Sequence, residues 1–375
     1  MRLLALVLRA GAVVVAAAVL LTLLVDGAPE PEVAVARAAE SQEKTSTKPA
    51  ARPKPAPAYP PGVVTIVATG DIVMGSTAKL PRDGGRSFFD DVKTDLAGDV
   101  VLGNLEGTLS VGSASKCRPR STRCYAFQTP PSYARWLKQA GFTVLNTANN
   151  HAFDFGASGL RQTVAALRRH RLLSTGRPGQ ITVQQVGKIR VALVGFASYP
   201  WANDVTDIAA VRRLVAQAAE QADVVVATAH MGAEGPDRQS VGRKTEMFLG
   251  EDRGNPVRFA HAAVDAGADL VVGHGPHVLR GMEWYKGRLI AYSLGNFAGY
   301  RVFSLGGPLS VSAILRVTLR GDGAFETGVL VPTRLAGAGL PALDPAERAH
   351  GMVRALSRSD FGARAVRISA AGELR

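Results

Sequence analysis

The feature that most constrains the fold is a set of short apolar runs, each ending in a polar residue able to bind a metal. TIVATGD leads to Asp71, DVVLGNLE to Asn104 and Glu106, FTVLNTANNH to Asn150 and His151, VVVATAH to His230, and LVVGHGPH to His274 and His277. Runs of roughly four to eight residues rich in Val and Leu read as strands buried on both faces of an α/β sheet. In such sheets ligands bind outside the carboxyl ends of the strands. Five runs delivering carboxylates, carboxamides and imidazoles to one edge predict a shared site, and that donor mixture predicts a metal centre.

With 375 residues, 46% of them hydrophobic, the chain can bury a large core, so one main domain with appendages is expected and a disordered protein is excluded. The formal net charge of +13 and pI near 10.1 would suit nucleic acid, an anionic surface or a polyanionic substrate. Charge alone does not choose among them.

Arg2 and Arg9 flank or interrupt an apolar run reaching Val25, which approaches the roughly 20 residues that cross a bilayer. The reading favoured over a cleaved signal is an N-terminal membrane anchor at 1–25, because Ala36-Arg37-Ala38 lies too far beyond the apolar stretch for a cleavage site. Either reading puts the globular part outside the cytoplasm. That placement, with no recognised binding module, makes nucleic acid a poor partner. Residues 26–62, rich in Ala, Pro, Glu, Lys, Ser and Thr, read as a disordered or extended stalk. The main domain is expected over 63–333, and 334–375 as an accessory segment packed on it.

Within the main domain strand and helix alternate. Strands are expected near Val63–Thr69, Val100–Gly103, Phe142–Asn146, Ile181–Val186, Arg190–Gly195 and Val224–Thr228, with helices from about Pro131, over Ser158–Arg168, over Asp207–Gln221 and from Pro256. After Leu270 the strands come in series, suggesting a mixed sheet. DPAERAHGMVRALSRS reads as a helix capped by Asp344 with Pro345 in its first turn, and ARAVRIS as a final short strand. Cys117 and Cys124, the only cysteines, are expected to form a structural disulfide.

The ordered series GDIVMG, GNLEG, NNHAFDFG, HMGAE, DAGADLVVGHGPHV and AYSLGNF resembles the CapA-type poly-γ-glutamate capsule synthesis family, whose domain is similar to the calcineurin-like metallophosphoesterases. The match runs from about Val63 to Pro332. It implies a four-layer αββα sandwich with mixed sheets, surface anchoring, and a part in making, exporting or processing an anionic surface polymer or its phosphorylated precursor, in a capsule synthesis complex. It also implies divalent metal, with Mn, Zn, Fe and Mg all open. On this analogy Asp71, Glu106, Asn150, His230, His274 and His277 would bind metal, with Glu106 as the bridge. His151 would serve as general acid and Asp154 would hold its tautomer. Asn104, Glu234, Ser293 and Asn296 are placed beside the site as substrate-binding candidates.

The sequence departs from the phosphoesterase pattern. Asp71-Ile72-Val73 stands where those enzymes have Asp-x-His, Gly103-Asn104-Leu105-Glu106 replaces a Gly-Asp pair with a further Asp, and two residues separate His274 from His277. These changes leave two ions, one ion or none open. Two functions follow: a metal-dependent hydrolase or transferase, or a non-catalytic component that holds polymer. Lys116, Arg118, Arg120, Arg123, Arg135 and Lys138, with no acid among them, form a basic stretch that reads either as a polyanion contact or as a solvated loop.

Overall fold

Strand alternation divides the apolar residues of this chain between two sheet faces. In the computed structural model, β1 (Val63–Val73) sends Val64, Ile66 and Ala68 into one core cluster and Val67 into another. β6 (Ile189–Ala197) does the same, with Val191 and Leu193 on one side and Ala192 and Val194 on the other. The structure describes residues 60–375 apart from Ala78, Ser113, Pro119, Arg120, Thr122 and Arg123. The expected membrane segment at 1–25 and all but the end of the stalk lie outside these residues. Among the described residues no helix is long and apolar enough to cross a membrane.

Two mixed sheets result. The first contains β1, β2 (Val100–Leu105), β3 (Val144–Asn146), β4 (Leu173–Thr175), β11 (Asn296–Gly299), β12 (Val311–Arg320), β13 (Phe325–Ala336) and β14 (Leu340–Leu343). Its order is β14-β13-β12-β1-β2-β3-β4, with β11 added parallel to the end of β1. The second sheet includes β5 (Thr182–Val186), β6, β7 (Val224–His230), β8 (Leu270–His274), β9 (Met282–Tyr285) and β10 (Arg288–Ala291), in the order β9-β10-β8-β7-β6-β5. β1 to β4 run parallel, as do β6, β7, β8 and β10, so their carboxyl ends within each sheet share an edge.

The sheets face each other across one core that takes Leu102, Val144 and Leu315 from the first and Val226, Val272 and Leu289 from the second. On the far side of the first sheet lie α1 (Ala134–Ala140), α2 (Gly156–Arg169) and a run of turns carrying Phe88, Phe89, Val92 and Leu96. On the far side of the second lie α3 (Ile208–Gln221) and α4 (Pro256–Asp265). The architecture is therefore the four-layer αββα sandwich. Val211, Val215 and Ala218 form the buried stripe of α3 at helical spacing. Asp207 caps α3 by accepting from Ala210 N at 2.9 Å, and Asn255 caps α4 by accepting from Arg258 N at 2.9 Å, with Pro256 in its first turn.

The C-terminal region differs from the sequence reading. Position 334 falls inside β13, and β14 extends the same sheet, so no structural boundary lies there. α5 (Arg348–Phe361) starts at Arg348, not beside Asp344. Asp344 Oδ2 instead takes the Arg348 side chain at 2.8 Å and its amide at 3.3 Å, and Glu347 enters the left-handed region at φ 50° before the helix. α5 supplies Ala349 and Val353 to the core between the sheets. Past it, ARAVRIS forms a short 3-10 turn and isolated bridges from Ala365 to Glu283 and from Ile368 to Leu374 rather than a strand. Cys117 and Cys124 are disulfide-bonded, with Cα atoms 5.5 Å apart.

Candidate metal centre

Register places the polar residues in two rows. Across the first sheet Asn296 of β11, Asp71 of β1, Asn104 of β2 and Asn146 of β3 are successive partners, and across the second His230 of β7 pairs with His274 of β8. All six are fully buried. β1 must come very close to its neighbours here. A Cβ on Gly70 would lie 1.9 Å from Gly295 O, so glycine is the only residue that fits. A Cβ on Gly275, which has φ 106°, would likewise crowd the His230 ring at 3.1 Å.

Asp71 is the hub of the first row. Its Oδ1 accepts from Asn104 Nδ2 at 2.8 Å, and its Oδ2 lies 3.2 Å from His277 Nδ1. His274 Nδ1 is 3.9 Å from Asp71 Oδ1. Burial opposes its charge, but the hydrogen bond and the positive field of His277 win and hold the carboxyl well below the usual range. His277 sits in left-handed backbone at φ 62°, held there by Asn296, whose Oδ1 accepts from Nδ1 at 2.9 Å and whose Nδ2 donates to His277 O at 3.0 Å. Its Nε2 lies 3.6 Å from Glu106 Oε1 and 3.5 Å from Glu234 Oε2.

Asp71, Glu106 and His277 each bring one ligand atom within 4.8 Å of the others. Glu106 is fully buried and neither carboxyl oxygen has a hydrogen-bond partner. Desolvation therefore raises its pKa well above the ordinary value, reinforced by Asp71 and Glu234 and opposed by His277. Desolvation would lower His277 as well, yet Glu106, Asp71 and Glu234 together raise it well above 6.5. The carboxylates are thus balanced by protons.

Burial lowers His230 to about 3 and His274 to about 4, so both rings are neutral. His274 Nε2 is 2.9 Å from Thr228 Oγ1, and with its proton given to that hydroxyl the buried Nδ1 carries a lone pair with no partner. His230 is constrained differently. Asn104 Nδ2 donates to its Nδ1 at 3.2 Å, which puts the proton on Nε2, 4.0 Å from Glu106 Oε1. It can ligate through Nε2 only if its tautomer and the Asn104 carboxamide turn over together.

Asn150 and His151 reach the cluster from the loop after β3. Asn150 Oδ1 is buried without a partner and its Nδ2 lies 3.4 Å from Glu234 Oε1. His151 Nδ1 is 2.8 Å from Asp154 Oδ2, which also accepts from Phe127 N at 2.6 Å, while Lys116 Nζ sits 2.6 Å from Asp154 Oδ1. Burial lowers the His151 pKa despite the Asp154 hydrogen bond. Asn149 ties this loop to the hub, with Nδ2 donating to Asn104 Oδ1 at 3.1 Å and Oδ1 accepting from His151 N at 3.1 Å.

A profile described as "Bacterial capsule synthesis protein PGA_cap" matches residues 65–300. The PGA biosynthesis protein CapA of Bacillus subtilis (strain 168) is 31% identical over 291 residues, covering 72% of this chain and 71% of the relative.

This chain belongs to the bacterial capsule synthesis family.

A capsule biosynthesis protein CapA of Bacillus anthracis is 31% identical over 286 residues, covering 69% of this chain and 65% of the relative. Among solved structures, a 5'-nucleotidase precursor from Thermus thermophilus superposes with a TM-score of 0.40 at 14% identity, over 80% of this chain and 59% of that one. The layered arrangement itself stands on the strand pairing above.

Of the residues expected at the site, Asp71, Asn104, Glu106, Asn150, His230, Glu234, His274, His277 and Asn296 meet in one buried network, joined by Asn149 to His151 and Asp154. Ser293 does not join it. Its hydroxyl accepts from Gly295 N at 3.2 Å and shapes its own turn. Five residues that build the site, Asn149 among them, were not assigned to it from the sequence. Asn146 donates to Asn104 Oδ1 at 2.9 Å, and the strand-end rule that found its neighbours would have found it. Thr228 lies inside β7, where its hydroxyl reaches the His274 ring on β8, while Lys116 and Arg253 act through side-chain reach from loops, for which a single sequence carries no periodic signal. Among these Arg253 pairs with Glu234 at 2.9 Å.

Proposed function

We propose that this chain is a metal-dependent hydrolase or transferase of bacterial capsule synthesis, held at the membrane by its N-terminal segment and acting outside the cytoplasm on an anionic surface polymer or its phosphorylated precursor. The names of the two Bacillus relatives, for PGA biosynthesis and for capsule biosynthesis, support the biological role. One observation carries the chemistry. Glu106 Oε1 and Oε2, Asn150 Oδ1 and His274 Nδ1 are four buried atoms with no hydrogen-bond partner, and all four are acceptors once Glu106 gives up its proton. Leaving such atoms unsatisfied costs roughly 1–3 kcal/mol each, and a cation is the group that satisfies acceptors only.

The donor set fits. Hard oxygens from Asp71, Glu106 and Asn150 with imidazoles from His274 and His277 suit a divalent transition ion better than magnesium. Thr228 and Asn296 fix the two rings as outer partners usually do. A divalent ion held here supplies Lewis-acid polarisation of a phosphoryl or carbonyl oxygen. The rest falls to the chain's own side chains. His151 rests neutral with Nδ1 tied to Asp154, so its Nε2 is suited to take up a proton first and deliver it afterwards to a departing oxygen. Lys116 and the Phe127 amide hold Asp154 in place for that task.

The test is turnover of aryl phosphoesters and γ-glutamyl substrates by the purified full chain beside His151→Ala. Loss of at least about 100-fold in kcat with metal content unchanged is expected for a general acid–base residue. Polymer binding with no turnover in the unaltered chain would instead make this a non-catalytic, polymer-holding component.

A further inference from the structure

Arg253, the partner of Glu234, lies in the long connection between β7 and α4, and its side chain is only 4% exposed. The backbone around it is pinned, since Arg253 N donates to Glu246 O at 2.9 Å and Gly232 N donates to Arg253 O at 2.8 Å. Glu246 is itself gripped by the buried Arg280 at 2.8 and 3.0 Å. The guanidinium then lies near two rings, 5.7 Å from the centre of Tyr199 and 5.4 Å from that of Phe248. Its Nε donates to Glu251 Oε2 at 2.9 Å.

The two terminal nitrogens are not spent in the same way. Nη1 is buried and is engaged by Glu234 Oε1 alone, 2.9 Å away. Nη2 has no hydrogen-bond partner among the described residues. A pair built only to hold Glu234 would be expected to use the planar fork on both carboxylate oxygens. Here the other oxygen of Glu234 turns to His277 Nε2, 3.5 Å away, which places Nη1, the nitrogen beside Glu234, at the border of the candidate metal centre.

We propose that Arg253 receives an oxyanion group of the substrate, a phosphate or a carboxylate next to the reacting bond, through its terminal nitrogens, with Glu234 steadying it in the absence of substrate. This deepens the proposed function and rests on the cluster being a site for an anionic substrate. Arginine suits the task because its fixed charge and planar donors match both groups, and the Tyr199 and Phe248 rings limit its movement.

The experiment is calorimetric titration of the full chain, with its metal content measured, against inorganic phosphate and separately against glutarate. Arg253→Met is expected to weaken binding of whichever probe the unaltered chain takes by at least about tenfold, as for loss of hydrogen bonds to a charged group. Arg253→Lys, which keeps the charge without the fork, should fall between. Glu251→Gln, at a half-exposed residue, removes a competing carboxylate and should tighten binding, so the proposal stays testable if Arg253→Met fails to fold. Preference for phosphate or glutarate assigns the anion. Equal affinities in all variants, binding of neither probe, or a loss that only tracks loss of metal would overturn the role of Arg253. A chain that holds no metal but still binds a probe through Arg253 would remove the hydrolase reading and leave this inference standing.

Discussion

Two buried ionic networks in this molecule use the same residue types and end in opposite states. Away from the strand-end cluster, Glu283 of β9 accepts from Tyr292 Oη at 2.7 Å, from Arg364 Nε at 2.6 Å, and from His261 Nε2 at 3.1 and 3.2 Å. Neither of its oxygens lacks a donor, and although burial opposes the charge, those hydrogen bonds hold its pKa below the ordinary value. Glu106 is likewise shut off from solvent but lies deeper, has no donor on either oxygen, and has its pKa driven the other way chiefly by desolvation. A saturated network ties elements together: here α4, the second sheet and the C-terminal segment. An unsaturated one of the same composition is poised for something that comes from outside the chain.

The contrast can be broken by substitution. Glu283→Gln leaves Arg364 and His261 facing a neutral group and should lower unfolding stability by about 2–3 kcal/mol, somewhat under the usual buried-pair loss because Arg364 is partly exposed. Chemical denaturation reads this, and metal content should not change. Thr228→Val replaces no proposed ligand but frees the His274 ring, so metal affinity should fall about tenfold in a competition titration with a chelator, and metal-free stability should drop by about 1–3 kcal/mol because the buried ring N–H loses its partner.

Glu106→Gln should have the smallest effect and the opposite sign. In the metal-free chain the folded state holds the Glu106 proton more tightly than the unfolded state does. Stability contributed by that proton is therefore lost as pH rises above the ordinary value of 4.5. The glutamine has no proton to lose, so the metal-free variant should be more stable than its parent at pH 8, with no gain near pH 5. Urea denaturation at the two pH values measures this. A gain that is the same at both would mean Glu106 does not titrate as its surroundings require.

The sequence carried much of the layered fold because strands buried on both faces have little choice but to be continuous apolar runs. Their ends were equally legible, since Asp71, Asn104, His230 and His274 are the first residues with a carboxylate, carboxamide or imidazole to follow those runs. What stayed hidden depends on distant parts of the chain meeting. β11 pairs with β1 across more than half the sequence, and the turns carrying Phe88 and Phe89 have no helical period, yet both complete the first sheet. Ser293 looked like its neighbours in AYSLGNF but points its hydroxyl at its own turn. Asp344 looked like a cap, but its carboxylate takes a side chain and an amide from Arg348 while the backbone stays non-helical until that residue.

If the unpartnered acceptors around Asp71 and Glu106 exist to hold a metal, elemental mass spectrometry of the purified full chain will find it. Stoichiometric divalent metal is expected in the unaltered protein, retained in Glu283→Gln and lost in Asp71→Ala and His274→Ala with the fold intact. A folded chain that stays metal-free after incubation with manganese, zinc or iron would contradict this and leave buried water as what fills those acceptors.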